Sequence, residues 1–121
     1  SGLVKSIGTS NFSISKLQNI LQIANIKPAM NQVEVHPFLQ QDELINFCKS
    51  QDIMITAYAP LGSFDRPDIM KMKDEPILIK NPLVLGIAEK HKVPSPSYLN
   101  QMLITIHNYY PSSYTMCLHY M

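Results

Sequence analysis

A chain of 121 residues holds one domain at most, and a hydrophobic content of 45% belongs to a folded protein rather than a disordered one. A net charge of +1 gives no long-range attraction to nucleic acid or anionic lipid, and no run of about 18 apolar residues predicts a membrane-spanning helix. Cys48 and Cys117 show neither a CxxC nor a metal-ligand spacing, which predicts no metal site and fits a reduced, cytoplasmic compartment. The opening Ser-Gly-Leu-Val-Lys-Ser lacks the apolar core of a secretion signal; without a starting Met it reads as processed, or as beginning partway through a longer protein.

In chain order, Val4 to Thr9 is expected as a strand ending in Ser10-Asn11-Phe12. A helix follows from about Ser13 to Ala24, with Leu17, Ile20, Leu21 and Ala24 on one face and Ser13 or Ser15 as its cap. A second strand, Ala29 to Val35, ends at His36-Pro37 and leads to a helix from about Gln41 to Ser50. Asp42 and Glu43 suit the positive end of that helix, and Leu44, Ile45 and Cys48 give it a buried side. A third strand, Ile53 to Ala59, ends in Pro60-Leu61-Gly62-Ser63. Phe64 to Lys80 then reads as a surface loop with short turns. Asn81-Pro82 opens a third helix that ends near Lys92, with Pro94 and Pro96 as its stop signals. Tyr98 to His107 also has helical spacing, with Leu99, Met102, Leu103 and Ile106 on one face.

Strands starting about 25 residues apart, each followed by a helix, form the repeat of a parallel α/β sheet. Val33 and Val35 share one face of the second strand, opposite Gln32, Glu34 and His36. Ile53, Ile55 and Ala57 share one face of the third, opposite Met54, Thr56 and Tyr58. A sheet buried on both faces would be apolar throughout. One apolar face and one that turns polar towards the strands' C-terminal ends is the pattern of a barrel mouth.

Lys5-Ser6-Ile7-Gly8-Thr9-Ser10-Asn11-Phe12 resembles the signature of the aldo-keto reductases, with Thr9 where the family usually has a branched aliphatic residue. Asn31-Gln32-Val33-Glu34-Val35-His36-Pro37 and Ala57-Tyr58-Ala59-Pro60-Leu61-Gly62-Ser63 match the family in order and spacing, and the helix Asn81 to Lys92 is similar as well. The resemblance implies a partial (β/α)8 TIM barrel, with residues 4–9, 30–35 and 53–58 as the fifth, sixth and seventh strands. It also implies two parts: residues 1–95, a partial NADP-dependent oxidoreductase domain, and residues 96–121, a tail that departs from the family pattern and reads as a spliced or frame-altered end.

The implied activity is NADPH-dependent reduction of aldehydes and ketones. The family's catalytic Asp, Tyr, Lys and His lie on earlier strands, so no catalytic residue is expected here and the chain alone is read as inactive. Ser10, Asn11 and Gln32 carry the hydroxyl and amide groups that match a nicotinamide carboxamide, and by resemblance they bind it. Taken alone, Ser10-Asn11 is a helix-capping turn and Gln32 a satisfied interior amide. Tyr58 is expected to stack on the nicotinamide ring rather than serve as a core aromatic. Ala59, Leu61, Gly62 and Ser63 resemble the pyrophosphate-holding segment, through backbone N–H groups and a hydroxyl.

Glu34 is expected as a buried structural carboxylate and His36 as a rim residue rather than an acid or base. The contacts to the cofactor's 2′-phosphate fall on missing positions, which leaves NADPH against NADH open. The expected partner is a small carbonyl substrate, not nucleic acid or membrane. The alternative is a non-catalytic interaction protein or dominant-negative isoform that associates through bare strand edges, or a product that folds poorly.

Overall fold

Along Met30–Glu34 (β2) and Met54–Tyr58 (β3), buried and accessible residues alternate with the period of two that a pleated strand imposes. Val33, Ile55 and Ala57 are buried on one side, while Gln32, Glu34, Thr56 and Tyr58 occupy the other. The computed structural model describes residues 2–71, 73–107 and 110–111. Within it, Gly8–Ser10 (β1), β2, β3 and Tyr110–Pro111 (β4) lie side by side in that order, every pair parallel.

Helix Ile14–Ile23 (α1) joins β1 to β2, and Asp42–Ser50 (α2) joins β2 to β3. Ser13 caps α1, its Oγ accepting from the Lys16 N–H. Leu17 on α1 and Leu44, Ile45 and Cys48 on α2 pack with Val33, Val35, Ile53, Ile55 and Ala57 into the main core. The βα repeat read from the sequence is therefore present, with its apolar strand face turned to the helices.

The first strand is shorter than expected: Gly8–Ser10 instead of Val4 to Thr9. Leu3, Val4 and Ile7 remain exposed, because a strand is defined by its partners and among the described residues β1 is paired on its β2 side. Phe64 to Lys80 is a loop with 3-10 turns at Asp68–Met70 and Leu78–Lys80.

Helix Pro82–Lys90 (α3) starts as expected, with the Asn81 side chain accepting from the Leu83 N–H and Pro82 in the first turn. Its end differs. Lys92 adopts a left-handed φ of 56°, the Lys92 N–H bonds the Glu89 carbonyl and the Val93 N–H bonds the Ala88 carbonyl. That is a Schellman closure, which stops the helix before either proline. Pro94 and Pro96 instead open the next helix, Ser95–His107 (α4). The Pro94 carbonyl accepts the first helical bond, from Tyr98, and Pro96 sits where a missing N–H costs nothing.

Helix α4 begins earlier than the spacing suggested, and it is packed. Leu103 belongs to the main core, and Leu99 is fully buried against Leu78 and Val84 in a second cluster. The expected boundary between a domain and a tail near residue 95 thus coincides with the first turn of a helix that fills the core. Cys117 lies outside the described residues. Burial pushes the Cys48 thiol pKa up from its ordinary 9.0.

Candidate functional site

Parallel register carries the polar groups to one end of the sheet. Ser10 pairs with Gln32 and Gln32 with Thr56, a row across three strands; Glu34 pairs with Tyr58 one layer closer to the C-terminal end. The chain leaves β1 through Asn11, whose N–H donates to the Gln32 carbonyl at 2.9 Å. Ser10 Oγ donates to the same carbonyl at 3.2 Å. The Tyr58 hydroxyl donates to Asn11 Oδ1 at 3.1 Å, reaching over β2. Ser10, Asn11, Gln32 and Tyr58 therefore meet at the C-terminal ends of β1, β2 and β3, on the face turned away from the helices.

The segment after β3 is held in an unusual backbone conformation. Ala59 has φ 49°, Gly62 φ 85° and Ser63 φ 47°, and Asn11 across the site has φ 56°. Each left-handed residue with a Cβ carries a cost of about 1–2 kcal/mol. Such residues persist where the surroundings over-determine them, and they gather at ligand-binding sites. Here the Gly62 N–H closes a turn on the Ala59 carbonyl at 2.8 Å. Gly62 is needed twice over: its φ is positive, and a Cβ there would come within 3.2 Å of Leu78 Cβ. Leu78 is buried, so the turn rests on a fixed floor.

The loop beyond Ser63 folds back on the same turn. Arg66 Nη2 donates to both Glu75 oxygens, at 2.6 and 2.5 Å, and Arg66 Nε donates to the Met70 carbonyl at 3.1 Å. A depression of about 380 Å³ beside Gly62 is lined by His36, Phe38, Arg66, Glu75 and Leu78. Another, of about 230 Å³, is lined by Ser63, Phe64 and Lys71 among others. His36 sits at this rim as expected, its Nε2 3.3 Å from Glu34 Oε1. Its Nδ1 is buried with no partner among the described residues. Glu34 keeps 30% of its side chain exposed, so it is a rim carboxylate and not the buried one expected, since the polar strand face opens to solvent.

Asn31 carries a structural role that its place in the motif does not reveal. It is fully buried, on the helix-facing side next to Gln32. Its Oδ1 accepts from Thr9 Oγ1 at 3.0 Å and from the Phe12 N–H at 3.3 Å, and its Nδ2 donates to the Phe12 carbonyl at 2.9 Å. The available signal was a polar residue at an apolar position of the alternation, where burial demands partners. Thr56 stands beside Gln32 on the same sheet face, a neighbour that the register alone assigns.

Comparison with known proteins adds a family to this geometry. The family model described as "Aldo/keto reductase family" matches residues 1–94. An aldo/keto reductase of Synechocystis sp. is 53% identical over 87 residues, which are 72% of this chain and 27% of that protein. Aldo-keto reductase family 1 member A1 of Rattus norvegicus is 49% identical over 90 residues, again 27% of its length, and the Homo sapiens protein of the same name is 47% identical over 90. This chain thus spans about a quarter of the curated relatives it matches (27% of each). A solved aldo/keto reductase from Brucella melitensis superposes with a TM-score of 0.71 at 34% identity, over 88% of this chain and 36% of that one. The open parallel sheet is accordingly an arc of a (β/α)8 barrel.

Proposed function

The chain belongs to the aldo/keto reductase family, and from that premise we propose that its strand ends carry the nicotinamide-holding part of an NADPH-dependent aldehyde and ketone reductase site. The observation that supports this most is the meeting of Ser10, Asn11, Gln32 and Tyr58 on one face, tied by the Tyr58 to Asn11 bond. A nicotinamide carboxamide offers one donor edge and one acceptor edge. Ser10, Asn11 and Gln32 supply the complementary groups, and Tyr58 supplies a ring face for stacking. Ala59, Leu61, Gly62 and Ser63 are read as the pyrophosphate segment. Because the Gly62 N–H is spent on the Ala59 carbonyl, the donors in this reading are the Ala59, Leu61 and Ser63 N–H groups with the Ser63 hydroxyl.

Bound there, the cofactor would supply hydride, and these residues would fix which ring face meets a small carbonyl substrate. No catalytic residue is assigned within this chain, and the isolated polypeptide is read as inactive. Residues 1–95 are taken as the partial oxidoreductase domain and residues 96–121 as the departing tail, with the cytoplasm as the compartment. Among the described residues no helix is long and apolar enough to cross a membrane.

The test is a titration with NADPH, following the fluorescence of the reduced nicotinamide. Gln32→Leu should weaken binding roughly tenfold by leaving the carboxamide short of a partner. Equal affinity in wild type, Gln32→Leu and Tyr58→Ala would reject the site.

One observation favours a second reading as an association module. Leu3, Val4 and Ile7, which lead into β1 along the chain, are exposed. A bare edge with apolar side chains is a template for another strand. Growth of the assembly with concentration, without NADPH binding, would support this reading over the first.

A further inference from the structure

We propose that Asn31, which faces away from the strand-end pocket, is the positioning residue that sets the geometry of Ser10 and Asn11. This inference rests on the nicotinamide reading above and extends it to a residue that would touch no cofactor. Asn31 is the buried polar residue of the described core, wholly enclosed on the helix side of β2. One amide grips the chain at two points. Its Oδ1 takes the Thr9 hydroxyl and the Phe12 N–H, and its Nδ2 gives to the Phe12 carbonyl.

Those grips bracket Ser10 and Asn11 on both sides. With Thr9 and Phe12 drawn to the helix side, the two residues between them are left on the pocket side, and Asn11 is held at a left-handed φ of 56°. From there the Asn11 N–H meets the Gln32 carbonyl, and Asn11 Oδ1 meets the Tyr58 hydroxyl. The line of contacts runs Asn31, Phe12, Asn11, Tyr58, so an amide behind the sheet determines where the groups in front of it stand.

The residue type follows from the chemistry. Phe12 presents a backbone donor and a backbone acceptor, both partly buried, and a primary amide satisfies the pair as a neighbouring strand would. A carboxylate lacks the donor, and an aliphatic side chain lacks both groups. Thr9 fits the same scheme. Its hydroxyl stands 3.0 Å from Asn31 Oδ1 and 3.3 Å from the Met30 carbonyl, and its one proton on the shorter path adds a donor to the amide that a branched aliphatic residue could not supply.

The experiment uses the full chain, unlabelled for cofactor titration and isotopically labelled for backbone amide exchange. Asn31→Leu removes every amide bond at similar volume, Thr9→Val removes one donor, and Val33→Ala perturbs the same packed face without touching Phe12. In Asn31→Leu the Asn11 and Phe12 amides should exchange about tenfold faster while the β2–β3 ladder keeps its protection, and NADPH should bind about tenfold more weakly. Thr9→Val should act in the same direction by roughly twofold to threefold. Val33→Ala should lower the melting temperature yet leave the Asn11 exchange and the NADPH affinity unchanged.

If Asn31→Leu does not fold, the Thr9→Val and Val33→Ala pair decides. Selective loosening by Thr9→Val supports the proposal, and no loosening overturns it. Loss of protection spread evenly over the sheet, or an equal affinity loss in Val33→Ala, reduces Asn31 to a core residue and overturns the proposal. Wild type that binds no NADPH, with the Asn11 turn still loosened by Asn31→Leu, would remove the nicotinamide reading and leave the positioning role standing.

Discussion

Tyr58 and Asn11 are joined by a 3.1 Å hydrogen bond although β2 lies between the strands that carry them. The bond arches over the end of β2 and fixes the turn after β1 against the end of β3. It also separates two roles of one side chain. Tyr58→Phe removes the bond and keeps the ring, whereas Tyr58→Ala removes both. On the cofactor reading, Tyr58→Phe should cost up to about 1 kcal/mol of stability because the site is exposed. Tyr58→Ala should weaken NADPH binding by a further ~0.5–1.5 kcal/mol for the lost stacking. Chemical denaturation with parallel cofactor titration checks both, and indistinguishable affinities for the two variants would argue against stacking.

The core depends on α4. Leu103 packs among Val33, Ile55 and Ala57, and Leu99 closes the cluster over Leu78. Leu103→Ala should therefore destabilise by about 2–5 kcal/mol, as a buried leucine does when its cavity cannot collapse. Urea denaturation measures this. A change within experimental error would mean that the segment after residue 95 is an appendage with no share in the core.

Lys92 stands where a Schellman closure favours glycine, at φ 56°. Lys92→Gly should stabilise the chain by about 1 kcal/mol, because the Cβ penalty of the left-handed conformation disappears. Its side chain is exposed, so little packing is lost. A melting temperature that falls would show that Lys92 makes a compensating interaction.

Cys48 is fully enclosed, and burial raises its thiol pKa above the ordinary 9.0. The neutral thiol is the form that the fold prefers. The stability that it contributes is complete below the ordinary thiol pKa of 9.0 and is lost as pH rises through the higher folded value. In a Cys117→Ser background, native Cys48 should react with a thiol reagent at pH 8 far more slowly than the urea-unfolded chain. Its denaturation midpoint should fall above pH 9 more steeply than that of Cys48→Ala. Equal labelling rates in native and unfolded chains would contradict the burial.

By itself the sequence determined the local structure and the chemical inventory. Period-two alternation in β2 and β3 told which side chains meet the helices, because pleating admits no other arrangement. Asn81 was legible as a helix cap, and the first cap was narrowed to Ser13 or Ser15, because capping needs only residues near in sequence; the structure chose Ser13. The ordered motifs around Ser10, Gln32 and Tyr58 named the groups that a nicotinamide would need. Tertiary structure alone decided the rest. The length of β1 depends on a partner strand, so Val4 to Ile7 could not be told from ladder residues by their composition. The end of α3 lies in the dihedral angle of Lys92, which a lysine does not advertise, and so Pro94 looked like a stop when it opens the next helix. The grip of Asn31 on Phe12, and the bond between Tyr58 and Asn11, join residues far apart in the chain. Such bonds are set by register and by the close approach of packed layers, and register becomes definite only when whole faces are buried together.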